Sequence, residues 1–310
     1  MTLPPDDFNP PCGDAIELAP GLRRILAPNP SPMTYRGTNT YLLGTTDLAV
    51  IDPGPIGPDP ENIPHLNAIL AALQPGQRIS HIIVTHTHID HSPLAARLSA
   101  ETGAPILAFG DAQAGRSAVM TKLAKAGLAG GGEGIDVDFR HDRTVQDGEI
   151  IEGAGWSLEV IHTPGHLGNH IALGWGRACF TADHVMGWAS SLVSPPDGDL
   201  TDFMASCHRL REGDWQVFHP GHGGPVNDPI GRLDWLISHR LMREAAILSV
   251  LADGPATAHA IAAQVYTETP VALLAAAERN VFAHLIDLTG KSMVSPAEEL
   301  SPTAIFSRHK

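Results

Sequence analysis

The stretch His86-Thr87-His88-Ile89-Asp90-His91 decides the fold, because it places three imidazoles and one carboxylate within six residues. It follows the apolar segment Ile82-Ile83-Val84, so a strand is predicted to deliver the run to its C-terminal edge. In an extended segment His86 and His88 point to the same side, because side chains alternate. Asp90 and His91 are expected on the turn that opens the next helix, where they can face a second metal ion. The run therefore predicts a metal site.

Later motifs supply the remaining ligands. A catalytic metal ion needs three protein ligands and one open position, and His86 and His88 provide two of them. His166 is the best third ligand, because it follows a strand-like segment and a Pro-Gly break. Asp183 follows a short apolar run, and a carboxylate there can bridge two ions. The predicted metal ligands are His86, His88, Asp90, His91, His166, Asp183 and His222.

This ligand set predicts a dinuclear hydrolytic centre. Two divalent ions can hold a bridging hydroxide at neutral pH, since metal binding lowers the pKa of water from about 15.7 to near 7. Two residues carry catalytic roles: Asp90 orients the nucleophile by accepting a hydrogen bond, and Asp183 sets the separation of the ions. Two Zn²⁺ ions are expected, because imidazole with some carboxylate suits zinc, and iron and manganese are the alternatives.

The order of the motifs resembles the metallo-β-lactamase superfamily. The matching positions are Asp52 in Val50-Ile51-Asp52-Pro53-Gly54, the run from His86 to His91, His166, Asp183 and His222. The resemblance implies an α+β fold, an αββα sandwich with the metal ions at one edge between two sheets. It also implies that Asp52 holds the metal loops by hydrogen bonds and is not itself a ligand.

Three further stretches are similar to the β-lactamase-like protein 2 group of this superfamily. They are Arg36-Gly37-Thr38-Asn39-Thr40-Tyr41-Leu42, the segment from Asp183 to Asp199, and Pro220-Gly221-His222-Gly223-Gly224-Pro225. That group carries a small winged-helix-like domain after the last metal histidine. The resemblance implies a catalytic domain over residues 1–228 and a helical winged-helix-like domain over residues 229–310. Helices are predicted in the tail at Arg232–Leu251, Thr257–Tyr266 and Val271–Leu288.

Composition narrows the partners. The chain has 310 residues with 20 basic and 34 acidic side chains, for a net charge of −14. An acidic surface repels phosphate backbones, so RNA is disfavoured as a partner and a small-molecule substrate is expected.

We find no signal peptide and no apolar stretch long enough for a membrane span, and the three cysteines lack metal-type spacing. A cytoplasmic protein without a membrane partner is expected. The C-terminal helices are interpreted as packing, as a homodimer contact or as one wall of the cleft.

Candidate substrate contacts lie next to the ligand motifs. One set precedes the first sheet, one follows His166, and one follows Asp183. These residues are Tyr35, Arg36, Asn39, Asn169, His170, His184, Trp188 and Ser190, with Ser191 beside the last.

Three functions follow from these patterns. The first is hydrolysis of a small ester, thioester or other acyl compound. The second is endoribonuclease or phosphodiesterase action on single-stranded RNA, which the resemblance implies for the animal members of the narrower group. The third is a non-catalytic metal-binding interaction module, whose signature is a missing ligand. Because the whole ligand set is present and the charge is acidic, the sequence favours the acyl hydrolase.

Overall fold

The computed structural model describes residues 7–61, 63–131, 134–267 and 274–309. In this part of the chain two β-sheets face each other. The first sheet pairs its seven strands in chain order: β1 (Ala15–Ala19), β2 (Leu22–Leu26), β3 (Asn39–Leu43), β4 (Asp47–Ile51), β5 (Arg78–Ile83), β6 (Ile106–Ala108) and β7 (Arg143–Thr144). The second sheet has the order β12-β11-β10-β9-β8, with β8 (Ile150–Gly153), β9 (Trp156–His162), β10 (Ile171–Trp175), β11 (Ala178–Ala182) and β12 (Val217–Pro220).

The space between the two sheets is filled by one apolar cluster. Leu43, Ile51 and Ile83 from the first sheet pack with residues such as Val160 and Phe180 from the second. The alternation of buried and exposed residues along β9, which reads Trp156-Ser157-Leu158-Glu159-Val160, follows from the period of two in a strand. Burial of these side chains holds the sheets face to face.

Helices cover the outer face of each sheet. The described helices are α1 (Pro64–Ala71), α2 (Leu94–Thr102), α3 (Ala118–Lys125), α4 (Leu200–Arg211), α5 (Pro229–Asp253), α6 (Ala258–Val265) and α7 (Leu274–Gly290). Ile69 of α1 and Leu98 of α2 pack on the first sheet. Phe203 of α4 and Leu233 of α5 pack on the second. The layer order is therefore αββα, as expected from the sequence.

The C-terminal region has its own core and a small sheet. Strands β13 (Ala256–Thr257), β14 (Val294–Pro296) and β15 (Ile305–Arg308) pair in the order β13-β15-β14. Only helices were predicted in this region from the sequence, and these short strands were missed. The predicted third helix began at Val271, but residues 271–273 lie outside the described residues, and α7 begins at Leu274.

Helix α5 joins the two cores. Its first half carries Leu233 and Leu236, which pack on the sandwich, and its second half carries Ile247 and Leu251, which pack with α6 and α7. The boundary predicted after residue 228 coincides with the start of this helix, but the helix contributes to both units. Among the described helices, none combines the length and the apolar character that crossing a membrane requires.

Parallel strand pairs bring the motifs to one edge. Strands β4 and β5 are parallel, so Asp52 and the run that starts at His86 leave the first sheet at the same end. Strands β11 and β12 are also parallel, so Asp183 and His222 leave the second sheet together. A β-bridge between Thr38 and His222 links the two sheets at this edge.

Candidate metal centre

Seven predicted ligand side chains converge at that edge, and all of them are buried. In the first group, His88 Nδ1 lies 3.1 Å from His86 Nε2 and 3.0 Å from His166 Nε2. Ligand atoms about 2.0–2.1 Å from a tetrahedral ion stand about 3.3 Å apart, so this triangle has the dimensions of a metal site. Together with Asp183, the four side chains place one ligand atom each within 4.8 Å of one another.

A second group lies beside the first. His222 Nε2 is 3.1 Å from Asp90 Oδ2 and 3.4 Å from His91 Nε2, and His91 Nε2 is 3.3 Å from Asp90 Oδ2. Asp183 lies between the groups, because its Oδ2 is 3.6 Å from His166 Nε2 and 3.2 Å from His222 Nε2. The carboxylate of Asp183 therefore faces both groups.

Three histidines direct a lone pair into the cluster. Each donates its Nδ1 proton to an outer acceptor, so Nε2 of the neutral ring is left as an acceptor. These outer acceptors are Asp52 Oδ2 for His91 (2.9 Å), Leu192 O for His166 (2.9 Å) and Gly37 O for His222 (3.0 Å). Nε2 atoms that face carboxylate oxygens at close range require positive charge between them, which a proton supplies to His91 and His222 in the ion-free chain and a metal ion supplies when bound. The donor set of imidazole nitrogens and carboxylates therefore fits divalent ions such as zinc.

The pKa directions show the same demand for positive charge. Burial alone lowers the pKa of His91 and His222, but the charges of Asp90 and Asp183 outweigh it. The pKa of His91 stands well above its usual value, and that of His222 is raised to about 10. Burial raises the pKa of Asp90 and Asp183, but the neighbouring imidazoles hold both well below the usual range. The two carboxylates thus create a negative potential that a bound cation satisfies.

His86 and His88 of the first group behave in the opposite way, because their pKa values are lowered. Burial and the neighbouring His166 lower the pKa of His88 to about 3. Burial, followed by the nearby His91 and His88, lowers the pKa of His86 well below its usual value. Both rings are therefore neutral at neutral pH, which is the protonation state that binds a metal ion.

Asp52 holds the first metal loop, as the resemblance implied. Its Oδ1 accepts a hydrogen bond from Thr85 N at 2.8 Å, and its Oδ2 accepts from Thr85 Oγ1 at 2.7 Å and from His91 Nδ1. Asp52 adopts φ +51°, and Ala182, just before Asp183, adopts φ +42°. Non-glycine residues rarely adopt this conformation, and such positions concentrate at functional sites.

Two further residues shape the site and were not singled out in the sequence. Thr38 Oγ1 donates to Asp90 Oδ2 at 3.0 Å, so Oδ1 of Asp90 is left without a hydrogen-bond partner among the described residues. A Cβ added to Gly221 would lie 2.2 Å from Asp183 Oδ1 and 2.8 Å from His91 Cε1. Only glycine fits there. Thr38 and Gly221 both lie inside motifs quoted above, but their roles depend on contacts between distant segments.

Residues 183–192, which follow β11, form the active-site loop. Helix α5 anchors it from behind: Arg232 donates to Met186 O (2.7 Å) and Ala189 O (2.6 Å), and Arg240 donates to Ser191 O. The hydroxyl of Ser191 also donates to Asp183 O. The loop that contains the candidate bridging residue is thus held by the helix that leads into the C-terminal unit.

The structure divides the candidate substrate contacts into two sets. Trp188 and Ser190 line a cavity beside the cluster, and Tyr35 stacks on Trp188 with ring centroids 4.9 Å apart. Arg36 is exposed, with its guanidinium 5.1 Å from the centre of the Tyr35 ring.

The second set is fully or almost fully buried, and its members do not line that cavity. Asn39 donates to Pro220 O and Gly223 O, and Asn169 donates to Thr87 Oγ1 and Asp111 O. His170 packs behind the ring of His86, and His184 packs against Phe203, with its Nε2 3.5 Å from Cys207 Sγ. These side chains hold the metal loops together, and we limit the candidate contacts to Tyr35, Arg36, Trp188 and Ser190.

Comparison with known proteins identifies the family to which this fold and this cluster of side chains correspond. Residues 33–236 match the sequence profile of the metallo-beta-lactamase superfamily, and residues 257–295 match that of the beta-lactamase associated winged helix domain. A beta-lactamase-like protein 2 homolog of Drosophila melanogaster is 31% identical over 283 residues, which cover 89% of this chain and 91% of the relative.

Two further proteins, one matched by sequence and one by structure, are also similar to this chain. An atrochrysone carboxyl ACP thioesterase of Cryptosporiopsis sp. is 28% identical over 249 residues, or 78% of this chain and 66% of the relative. The crystal structure of a beta-lactamase domain protein from Burkholderia ambifaria superposes with a TM-score of 0.79 at 22% identity, covering 99% of this chain and 97% of that one. This last likeness shows the fold.

Proposed function

The chain belongs to the metallo-β-lactamase superfamily and is a metal-dependent hydrolase, and from this premise we propose that it cleaves small esters or thioesters at a site for two metal ions. The observation that carries the proposal is the convergence of imidazole lone pairs on two buried carboxylates beside an apolar cavity. The thioesterase named among the relatives supports a thioester substrate.

Each side chain has a role in this proposal. His86, His88 and His166 would hold one ion, Asp90, His91 and His222 would hold the other, and the carboxylate of Asp183, which faces both groups, would serve both. When bound, a pair of divalent ions such as Zn²⁺ supplies a water of lowered pKa and polarises the oxygen of the acyl group. Iron and manganese are the alternative metals. Hydrogen bonds from the protein to its own ligands keep them aimed at the cluster.

Asp90 is the proposed orienting group for the attacking water. Thr38 donates to its Oδ2, so the other oxygen, Oδ1, is available to take the hydrogen bond of the attacking water. The oxygen of that water forms a bond to the acyl carbon, and the bond from the acyl carbon to sulfur or oxygen breaks. The proton that the water releases ends on the departing thiolate or alkoxide, so one water is consumed and a carboxylic acid and a thiol or alcohol are formed.

The cavity chemistry separates this proposal from action on RNA. Among the described residues, neither lysine nor arginine lines the cavity that meets His166 and Asp183. A phosphodiester backbone carries one charge per nucleotide and is usually gripped by such cations. The net charge of −14 also disfavours binding of a phosphodiester backbone. An uncharged acyl compound suits this surface better.

A substrate panel tests the proposal. Zinc-loaded protein is assayed with chromogenic esters, thioesters, lactones, phosphodiesters and single-stranded RNA, beside the variants His88→Ala and His259→Ala. His259 is exposed and pairs with Glu278, so its variant controls for loss of an imidazole away from the site. We expect ester or thioester hydrolysis that only His88→Ala abolishes.

Two results would overturn the proposal. Cleavage of RNA that depends on His88, without acyl hydrolysis, would identify a nuclease. Binding of two zinc ions without turnover of any substrate in the panel would favour a non-catalytic metal-binding module.

A further inference from the structure

A cavity of about 260 Å³ lies between the active-site loop and helix α7. His166 and Asp183 of the cluster form one end of it, and Ala276 and Ala277 of the C-terminal unit form the other. The cavity is therefore continuous with the candidate catalytic atoms, and its far wall comes from a different core. A group bound there would reach the cluster directly.

The lining is mostly apolar. Met33, Met186, Trp188 and Leu192 contribute side chains. Away from the metal centre, an isolated carboxylate or phosphate buried against these residues would lose its hydration without gaining a cationic partner, which is strongly unfavourable. The lining therefore selects an uncharged apolar group.

The side-chain amide of Asn280 in the wall is already engaged. Asn280 accepts a hydrogen bond from Arg240 Nη1 at 3.1 Å, and its own Nδ2 donates to Ala276 O at 3.2 Å. The indole Nε1 of Trp188 is buried and has no hydrogen-bond partner in the described part of the chain. Because that nitrogen is buried, it adds no exposed polar atom to the cavity wall.

The size of the cavity limits the group that it holds. At about 30 Å³ for a water-sized group, 260 Å³ accommodates about eight or nine such groups. A larger residue in place of either alanine would shorten the cavity from the side of α7. The alanines thus set its depth.

We propose that this cavity binds the acyl group of the substrate and selects an uncharged acyl chain of about eight carbons. This inference rests on the proposed function, because the acyl carbon must lie at the metal centre. Helix α7 then determines chain length, which gives the C-terminal unit a part in substrate selection.

The test compares two leucine variants on the same helix. Ala276→Leu projects into the cavity, whereas Ala275→Leu adds the same bulk at an exposed neighbour that does not line it. Zinc-loaded proteins are assayed with acetyl and octanoyl thioesters. Each buried methylene contributes about fourfold to binding, so wild type should prefer the octanoyl substrate, and three added side-chain carbons should reduce the octanoyl-to-acetyl ratio of kcat/KM by about 50-fold. Ala275→Leu should keep the wild-type ratio.

A binding measurement keeps the test independent of turnover. Octanamide and acetamide, which resist hydrolysis, are titrated calorimetrically into zinc-loaded wild type and both variants. Tighter binding of octanamide that is lost in Ala276→Leu alone supports the acyl cavity, even if no thioester is cleaved and the proposed function fails. Equal binding of the two amides, or equal chain-length ratios in both leucine variants, would overturn this inference and leave acyl hydrolysis itself untouched.

Discussion

Replacing Asp52 with asparagine is expected to lower the binding affinity for one metal ion far more than that for the other. The carboxylate accepts three hydrogen bonds, two from Thr85 and one from His91. Asparagine keeps one acceptor oxygen, which can still serve Thr85 N, and the Thr85 hydroxyl can reverse its role and accept. The Nδ1 proton of His91, however, then faces an NH2 group. The change therefore acts mainly on the ring orientation and tautomer of His91.

The magnitude follows from that single contact. A hydrogen bond to a charged group contributes about 1.5–3 kcal/mol. Loss of such an outer partner commonly reduces metal affinity about 10–100-fold, which corresponds to about 1.4–2.7 kcal/mol. We expect this loss for the ion held by Asp90, His91 and His222. The affinity for the ion held by His86, His88 and His166 should change less, since Asp52 reaches only one of those rings, His86, and only through the hydroxyl of Thr85.

Competition with a chromogenic zinc chelator measures both affinities. Asp47→Asn is the matched control, because Asp47 begins β4, the strand that Asp52 directly follows, and forms an exposed pair with Arg78. Circular dichroism checks that the variants are folded. If Asp52→Asn binds both zinc ions with wild-type affinity, or loses affinity equally for both, the reasoning that Asp52 acts through His91 is refuted.

Three further predictions concern the surroundings of the site. Gly221→Ala, whose methyl group would collide with the carboxylate of Asp183, should reduce zinc affinity at least tenfold, while Gly224→Ala, which meets only ordinary contacts, should not; equal affinities would contradict the close approach. Burial, followed by Arg24, lowers the pKa of His219 from 6.5 to about 4, so its ring is neutral in the fold and the unfolded chain binds the extra proton as the pH falls below 6.5. The free energy of unfolding should therefore drop between pH 7.5 and 5, and His219→Gln should remove about 2 kcal/mol of that drop. Urea titrations at several pH values measure it, and an unchanged dependence of the unfolding free energy on pH in the variant would exclude His219 as a cause. A lysine at position 240 cannot reproduce both hydrogen bonds of the buried guanidinium, so Arg240→Lys should lower the Tm by about 4 °C. Calorimetry on zinc-loaded protein measures this change, and an unchanged Tm would contradict the prediction.

Much of the site was predictable because local spacing determines it. Side chains two apart on an extended segment share a face, so His86 and His88 could be paired from the sequence alone. The strands before Asp183 and His222 were visible as short apolar runs that end in turns. Parallel neighbours then place those ends at one edge, which is where the structure brings them together.

Residues next to a ligand in sequence were harder to assign. Asn39 and His170 neighbour site motifs, and proximity in the chain favoured a substrate contact. In the structure each side chain points into the protein. Asn39 donates to carbonyl groups at the last residue of β12 and just after it, and His170 packs behind His86. Which side a residue faces at a loop or strand end depends on tertiary contacts that lack a local signal.

Short strands were missed for a related reason. The hairpin of β1 and β2 includes Glu17, Arg23 and Arg24, and β14 spans only three residues. Such segments have weak periodicity, and pairing with neighbours determines their conformation. Arg24 is nevertheless buried, with its guanidinium 4.5 Å from the centre of the Phe8 ring. That contact, formed between segments distant in the chain, cannot be read from composition.

Anomalous diffraction at the zinc edge, on crystals of the zinc-loaded protein, tests the central claim most directly. We predict two peaks, one enclosed by His86, His88 and His166 and one enclosed by Asp90, His91 and His222, with the Asp183 carboxylate between them. A single peak, or peaks outside this ring of seven side chains, would contradict the two-ion centre.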